Sequence, residues 1–138
     1  AVREYRLRWR DIILPTSSIE FWQDPMKCGC VQTREVLELA PDVTGLVVDT
    51  IPGAIGALRA IAESGRSCPR DVSIVTALSY AGIEEFTFPS LSNVTVSEEK
   101  ISRMALDLIL HRENFHSREL IIDVEFNERE SIRNLNGE

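Results

Sequence analysis

The sequence predicts an α/β fold, a Rossmann-like parallel sheet flanked by helices. Gly45-Leu46-Val47-Val48-Asp49 is a short apolar run between polar residues, the pattern of a parallel strand buried on both faces. Val72-Ser73-Ile74-Val75 reads as a second strand, and between the two Ala54, Ile55, Leu58, Ile61 and Ala62 recur at helical spacing. Strand, helix and strand within about 30 residues make a βαβ unit, which requires parallel strands and a right-handed crossover. The whole chain, 138 residues, has the size of one ordinary domain and can bury a single core.

The elements follow in order. Tyr5, Trp9, Ile12 and Ile13 form an apolar stripe that predicts a helix over Val2 to Ile13, stopped by Pro15 and Thr16-Ser17-Ser18. Ile19 to Trp22 reads as a short strand, and Gln23-Asp24-Pro25 as a turn. A helix is expected from Cys30 to Ala40, with Val31, Val36, Leu37 and Ala40 inward and Pro41-Asp42 closing it. Pro52 sits where a helix can begin, since its fixed φ and missing N–H cost nothing there, and Gly65 is a natural cap at the end. Thr76 to Ser90 is irregular, and Leu91 to Val96 alternates like an edge or crossing strand. Ser97 can cap a helix whose first turn holds Glu98 and Glu99, favoured by the positive end of the dipole. Its stripe, Ile101, Met104, Ala105, Leu108 and Ile109, is regular. Leu120 to Phe126 reads as a last strand, and Asn134 to Glu138 as a frayed tail.

Composition narrows the function classes. The formal net charge is −7, so the surface repels phosphate backbones and argues against direct nucleic-acid binding by this segment. The cluster Arg3, Arg6, Arg8 and Arg10 reads as a solvated face. No apolar run approaches the roughly 20 residues that cross a bilayer, so no membrane partner is expected. Three cysteines, Cys28, Cys30 and Cys68, are an odd count that argues against a disulfide scaffold and fits a reducing cytoplasm.

In open α/β sheets, ligands bind beyond the carboxyl ends of the parallel strands, where helix N-termini and loop amides gather. Those ends are Asp49-Thr50-Ile51 after the first central strand and Thr76-Ala77-Leu78-Ser79 after the next. Trp22 and Asp24 stand before the Cys30 helix as a third wall. The candidate binding residues are therefore Trp22, Asp24, Asp49, Thr50, Ile51, Leu78 and Ser79. Asp49 and Thr50 serve equally well as a capping turn, and Trp22 as a core residue. No catalytic constellation assembles: Glu84-Glu85 and Glu98-Glu99 are chain neighbours that do not converge, and no G-x-S-x-G or phosphate-binding glycine loop occurs. Cys28-Gly29-Cys30 lacks a second ligand pair, and His111 and His116 flank a helix end, where their charge suits the dipole, so neither a metal nor a cofactor is expected.

From Val43 to Val96 the order of segments resembles the second lobe of the lactose/galactose-repressor family. The resemblance rests on Val43-Thr44-Gly45-Leu46-Val47-Val48, Ala54-Ile55-Gly56-Ala57-Leu58-Arg59-Ala60, Glu63-Ser64-Gly65, Pro69-Arg70-Asp71-Val72-Ser73-Ile74-Val75 and Phe88-Pro89-Ser90-Leu91-Ser92-Asn93-Val94. Glu128-Arg129-Glu130-Ser131 looks like the family's closing strand, and Tyr5-Arg6-Leu7 and Gly29 are weaker echoes. The resemblance implies a periplasmic-binding-protein-like lobe of an effector-sensing and dimerisation domain, cytoplasmic and not an enzyme. It implies a small-molecule effector, a homodimer, and DNA binding only through a helix-turn-helix head absent from residues 1–138. The helix over 97–112 would belong to the first lobe of the full-length protein, so its apolar stripe needs cover from elsewhere. The alternatives are a solute-binding protein of a sugar-type transporter, which shares the fold, and a fragment of a doubly wound enzyme.

Two departures bear on the ligand. Where the family resembled carries Asn-Asp after the first central strand, Thr50-Ile51 stands, and where it carries Gly-[FY]-Asp-Asp, Thr76-Ala77-Leu78-Ser79 stands. Each unpaired buried sugar hydroxyl costs about 1–3 kcal/mol, so an effector other than a common sugar is expected.

Overall fold

The computed structural model describes residues 23–77, 82–111 and 121–134. The expected helix over Val2 to Ile13, the strand over Ile19 to Trp22 and His116 lie outside them. Helix α1 (Pro25–Leu39) starts five residues before the expected Cys30. The Gln23-Asp24-Pro25 segment is its cap: Asp24 Oδ1 accepts from the Lys27 amide at 3.0 Å, and Pro25 opens the first turn. Strand β1 (Gly45–Val48) leads into helix α2 (Ile51–Glu63), which Thr50 caps and whose first turn holds Pro52. Ser64 ends α2, and Gly65 follows at φ +78°, the left-handed geometry that glycine supplies without strain.

Strand β2 (Ser73–Ala77) runs parallel to β1, with Gly45 opposite Ser73 and Val48 opposite Thr76. A 3₁₀ turn at Ile83–Glu85 occupies part of the stretch expected to be irregular. Strand β3 (Ser92–Thr95) is parallel to β2, after which Ser97 caps helix α3 (Glu98–Leu110). The last strand, β4 (Glu125–Asn127), begins later than the expected Leu120 and runs antiparallel to β3. The sheet is therefore mixed, in the order β1-β2-β3-β4. β4 reverses because it directly flanks a parallel edge and needs no crossover through the core.

One face of the sheet carries the core. Leu37 of α1 and Ala54, Ala57 and Ile61 of α2 pack with Val72, Ile74 and Leu91, with Leu46 and Val48 of β1 against them. The helices come close because glycines line their crossing. A Cβ on Gly56 would lie 2.0 Å from the Met26 carbonyl oxygen, and one on Gly29 would lie 2.2 Å from that of Gly53.

Residues beyond β4 return to lock the sheet. Ser131, fully buried, sits between the starting ends of β2 and β3. Its hydroxyl accepts from the Ser92 amide at 2.8 Å and donates to the Ile74 carbonyl at 2.6 Å. Its backbone carbonyl accepts from the Ile74 amide at 2.8 Å, and its amide donates to the Ser90 carbonyl at 2.9 Å. Beside it Arg129 donates to Asn93 Oδ1 at 2.8 Å and to Glu85 Oε1 at 3.1 Å, while Asn93 donates to the buried Glu84 at 3.3 Å. The segment expected as a closing strand is thus a hydrogen-bonded latch following the strand.

The turn before β2 is held by Asp71, whose Oδ2 accepts from the Ser67 amide at 2.8 Å and the Ser67 hydroxyl at 3.0 Å. The adjacent Arg70 guanidinium, with those two donors, holds the Asp71 carboxyl down at about 2. A carboxyl whose folded pKa lies below its unfolded value of 3.8 stabilises the fold above that value, and this contribution fades as pH falls toward 2. Denaturant titrations at pH 5 and pH 2.5 should show a smaller acid-induced loss of stability for Asp71→Asn than for the parent. An equal loss in both proteins would remove Asp71 from the account.

Candidate functional site

The parallel strands β1 and β2 deliver their carboxyl ends to the side where α1 and α2 begin. Asp49 and Thr50 stand between β1 and α2, and Asp24 stands at the start of α1. Thr50 Oγ1 accepts from the Gly53 amide at 3.2 Å, and the Asp49 carboxylate lies 4.0 Å from where a Gly53 Cβ would stand. Cys28, only 1% exposed, lies within electrostatic reach of both carboxylates. Its thiol is pushed up first by burial, then by the negative charges of Asp49 and Asp24.

The capping alternative for Thr50 is what the geometry shows, and Asp24 caps α1 in the same way. Capping does not use up these groups. A carboxylate has about four acceptor positions, and Asp24 spends one on the Lys27 amide. Asp24 and Asp49 are exposed and Thr50 is half-buried. The exposed carboxylates of Asp24 and Asp49 thus offer acceptor oxygens of the kind that pair with hydroxyl or ammonium donors.

Other members of the candidate set are placed differently. Ile51 is 2% exposed, so its side chain belongs to the core. Thr76 is fully buried and donates to the Ala77 carbonyl at 3.3 Å. Trp22, Leu78 and Ser79 lie outside the described residues. Among the described residues no group of three or more His, Cys, Asp or Glu side chains is gathered for a metal ion. Gly29, weighed above as part of a cysteine pair, is needed for the close approach of α1 to α2.

Sequence reasoning missed a groove on the outer side of the α1–α2 pair, about 520 Å³ in volume and lined by Met26, Val31, Ile55, Lys27, Arg34 and Arg59 among others. Gly29 against Gly53, and Gly56 against Met26 and Cys30, set the close approach of the two helices beside it.

Periplasmic binding protein-like domains match residues 3–132. The lactose operon repressor of Rhizobium radiobacter is 37% identical over 78 residues, covering 56% of this chain and 66% of that protein. The transcriptional repressor MelR of Bacillus subtilis (strain 168) is 46% identical over 63 residues, covering 44% of this chain and 17% of that protein. Among solved structures, a LacI family transcriptional regulator from Enterococcus faecium with bound ribose superposes with a TM-score of 0.67 at 25% identity, covering 95% of this chain and 47% of that one. The transcriptional regulator CelR in complex with cellobiose gives 0.70 at 22% identity, covering 94% of this chain and 39% of that one.

The fold is that of a periplasmic binding protein-like domain. The chain belongs to the periplasmic binding protein-like domain family, and the relatives it matches are repressors and regulators of the lactose/galactose-repressor type. These relatives are transcriptional regulators rather than enzymes. The chain spans between about a sixth and two thirds of the length of the curated relatives it matches. No helix among the described residues is long and apolar enough to cross a membrane.

Proposed function

We propose that the chain is the effector-sensing and dimerisation part of a cytoplasmic bacterial transcription regulator. A small molecule held at the carboxyl ends of β1 and β2 shifts DNA binding by a head domain outside residues 1–138. The observation that carries this reading is the placement of Asp49 and Thr50 at the carboxyl end of β1, with Asp24 at the start of α1 and both carboxylates within electrostatic reach of Cys28. The named ligands of the solved relatives, ribose and cellobiose, support a small polar effector as the class. Thr50-Ile51 in place of Asn-Asp supports an effector other than a common sugar, because a threonine cap and a buried isoleucine supply fewer acceptors for sugar hydroxyls.

The same reading makes the chain one lobe of two. Helix α3 supports it: none of its residues is buried, and Ile101, Leu106, Ile109 and Leu110 are all exposed. An apolar stripe of that size needs cover, since each such side chain is worth about 1.5–3 kcal/mol when buried. The first lobe of the longer protein supplies that cover.

Thermal-shift screening of the chain against ribose, galactose, lactose, cellobiose and a panel of polar amines, nucleosides and organic acids tests the site. The expected result is no stabilisation by the sugars at low millimolar concentration. A non-sugar hit should raise the melting temperature, and Asp49→Asn should abolish that rise. Tight binding of a common monosaccharide would sink the non-sugar assignment, and a hit indifferent to Asp49→Asn would place the ligand elsewhere.

A further inference from the structure

The two carboxylates at the strand-end site are left charged by the protein around them. Asp24 accepts one hydrogen bond, from the Lys27 amide at 3.0 Å. Among the described residues the ion pairs lie elsewhere, on the carboxylates of Glu63, Asp71, Glu85, Glu99 and Asp123. Lys27, the cation nearest to Asp24 along the chain, makes no ion pair with it. Asp49 likewise has no cation paired to it among the described residues.

The side chain that faces both carboxylates is Cys28. It is 1% exposed, its Sγ makes no hydrogen bond among the described residues, and it lies within electrostatic reach of Asp49 and Asp24. Burial and those two negative charges push its thiol up, so it stays protonated and neutral. A neutral thiol with a weak S–H donor cancels neither charge. The site therefore presents two negative charges with no positive group of the protein set against them.

That imbalance separates the two kinds of donor its oxygens can accept. A ligand hydroxyl satisfies a lone pair and leaves the charge in place. A protonated amine brings three donors and the compensating charge together, and charge-assisted hydrogen bonds are roughly twice as strong as neutral ones. The advantage grows as a bound ligand excludes water, because the effective dielectric falls. We propose that the effector is a small molecule carrying a protonated amine, paired to the carboxylates of Asp49 and Asp24. The inference rests on the strand-end site proposed above and names the ligand class of that site.

Two amides report on the site directly. The Lys27 N–H is bonded to Asp24 Oδ1, and the Gly53 N–H to Thr50 Oγ1 beside Asp49. Amide-resolved NMR titrations of the chain at low ionic strength follow both, using probes matched in shape and differing in charge: putrescine against butanediol, and glucosamine against glucose and N-acetylglucosamine. At least one amine should move both amides, with a dissociation constant about 10-fold or more below that of its uncharged counterpart. Added salt should shrink this preference, since it screens exposed charges. Asp49→Asn and Asp24→Asn keep side-chain size, and asparagine still caps a helix, so both variants should stay folded. Each should weaken amine binding about 10-fold and leave the uncharged probes unchanged. An uncharged probe that moves both amides as strongly as its amine counterpart overturns the cationic assignment and keeps the site. Amine binding that survives both substitutions overturns the pairing with these carboxylates. If neither amide moves with any probe, charged or uncharged, the proposal falls together with the strand-end site.

Discussion

Replacing Gly56 with alanine is expected to destabilise the chain by about 3 kcal/mol, the upper part of the range for overpacking a close contact. The new methyl would stand 2.0 Å from the Met26 carbonyl oxygen and 2.7 Å from the Cys30 amide nitrogen. Both are backbone atoms of α1 that cannot rotate away, so the helices must separate. Separation loosens Leu37, Ala57 and Ile61, which meet in the core along this crossing. Alanine gains about 1 kcal/mol of helix propensity over glycine, but the clash outweighs it. Gly45→Ala is the control, since nothing lies within 4 Å of its added Cβ, and it should stay within about 0.5 kcal/mol of the parent. Urea unfolding midpoints for the two variants decide the matter, and equal midpoints would mean that the helix crossing yields freely.

Ser131→Ala is the second large effect, expected at about 2–4 kcal/mol. The substitution removes one hydroxyl and orphans two groups, the Ser92 N–H and the Ile74 carbonyl. Each unsatisfied buried group costs about 1–3 kcal/mol. The Ile74 carbonyl keeps access to a second lone pair, which holds the total below the sum of two full penalties. The melting temperature should fall by roughly 10 °C. Amide exchange at Ser92 should accelerate more than exchange within α2. A uniform acceleration would mean that Ser131 acts only through global stability.

The central βαβ unit was legible because each signal agreed with the next. Gly45 to Val48 is apolar throughout, Pro52 opens a helix, Gly65 ends it, and Val72 to Val75 resumes the sheet. Helix α1 was placed too late because its first two turns carry Lys27, Cys28 and Gly29, which show no outward periodicity. Asp24 and Pro25 read as a turn, although the same pair is a good cap and first helical residue. The antiparallel direction of β4 was not readable, since strand orientation is set by where the chain returns and not by side-chain pattern. Of the candidate site, Asp24, Asp49 and Thr50 were proposed from topology alone, because ligand positions in open α/β sheets follow strand ends. Ile51 was included by adjacency, yet its side chain points into the core. The groove escaped notice because it lies between two helices at the distance their glycines set, and that distance exists only in three dimensions.

The latch at Ser131 also constrains how the molecule can be made. Its partners, Ile74, Ser90 and Ser92, leave the ribosome at least 39 residues earlier than Ser131 itself. Until that residue emerges, β2 and β3 hold unsatisfied backbone groups at their starting ends. The nascent chain therefore carries an open sheet until Ser131 is made. The sheet is sealed only when Ser131 emerges, and a ribosome stalled shortly before it would display a chain with native-like helices and an unsealed sheet.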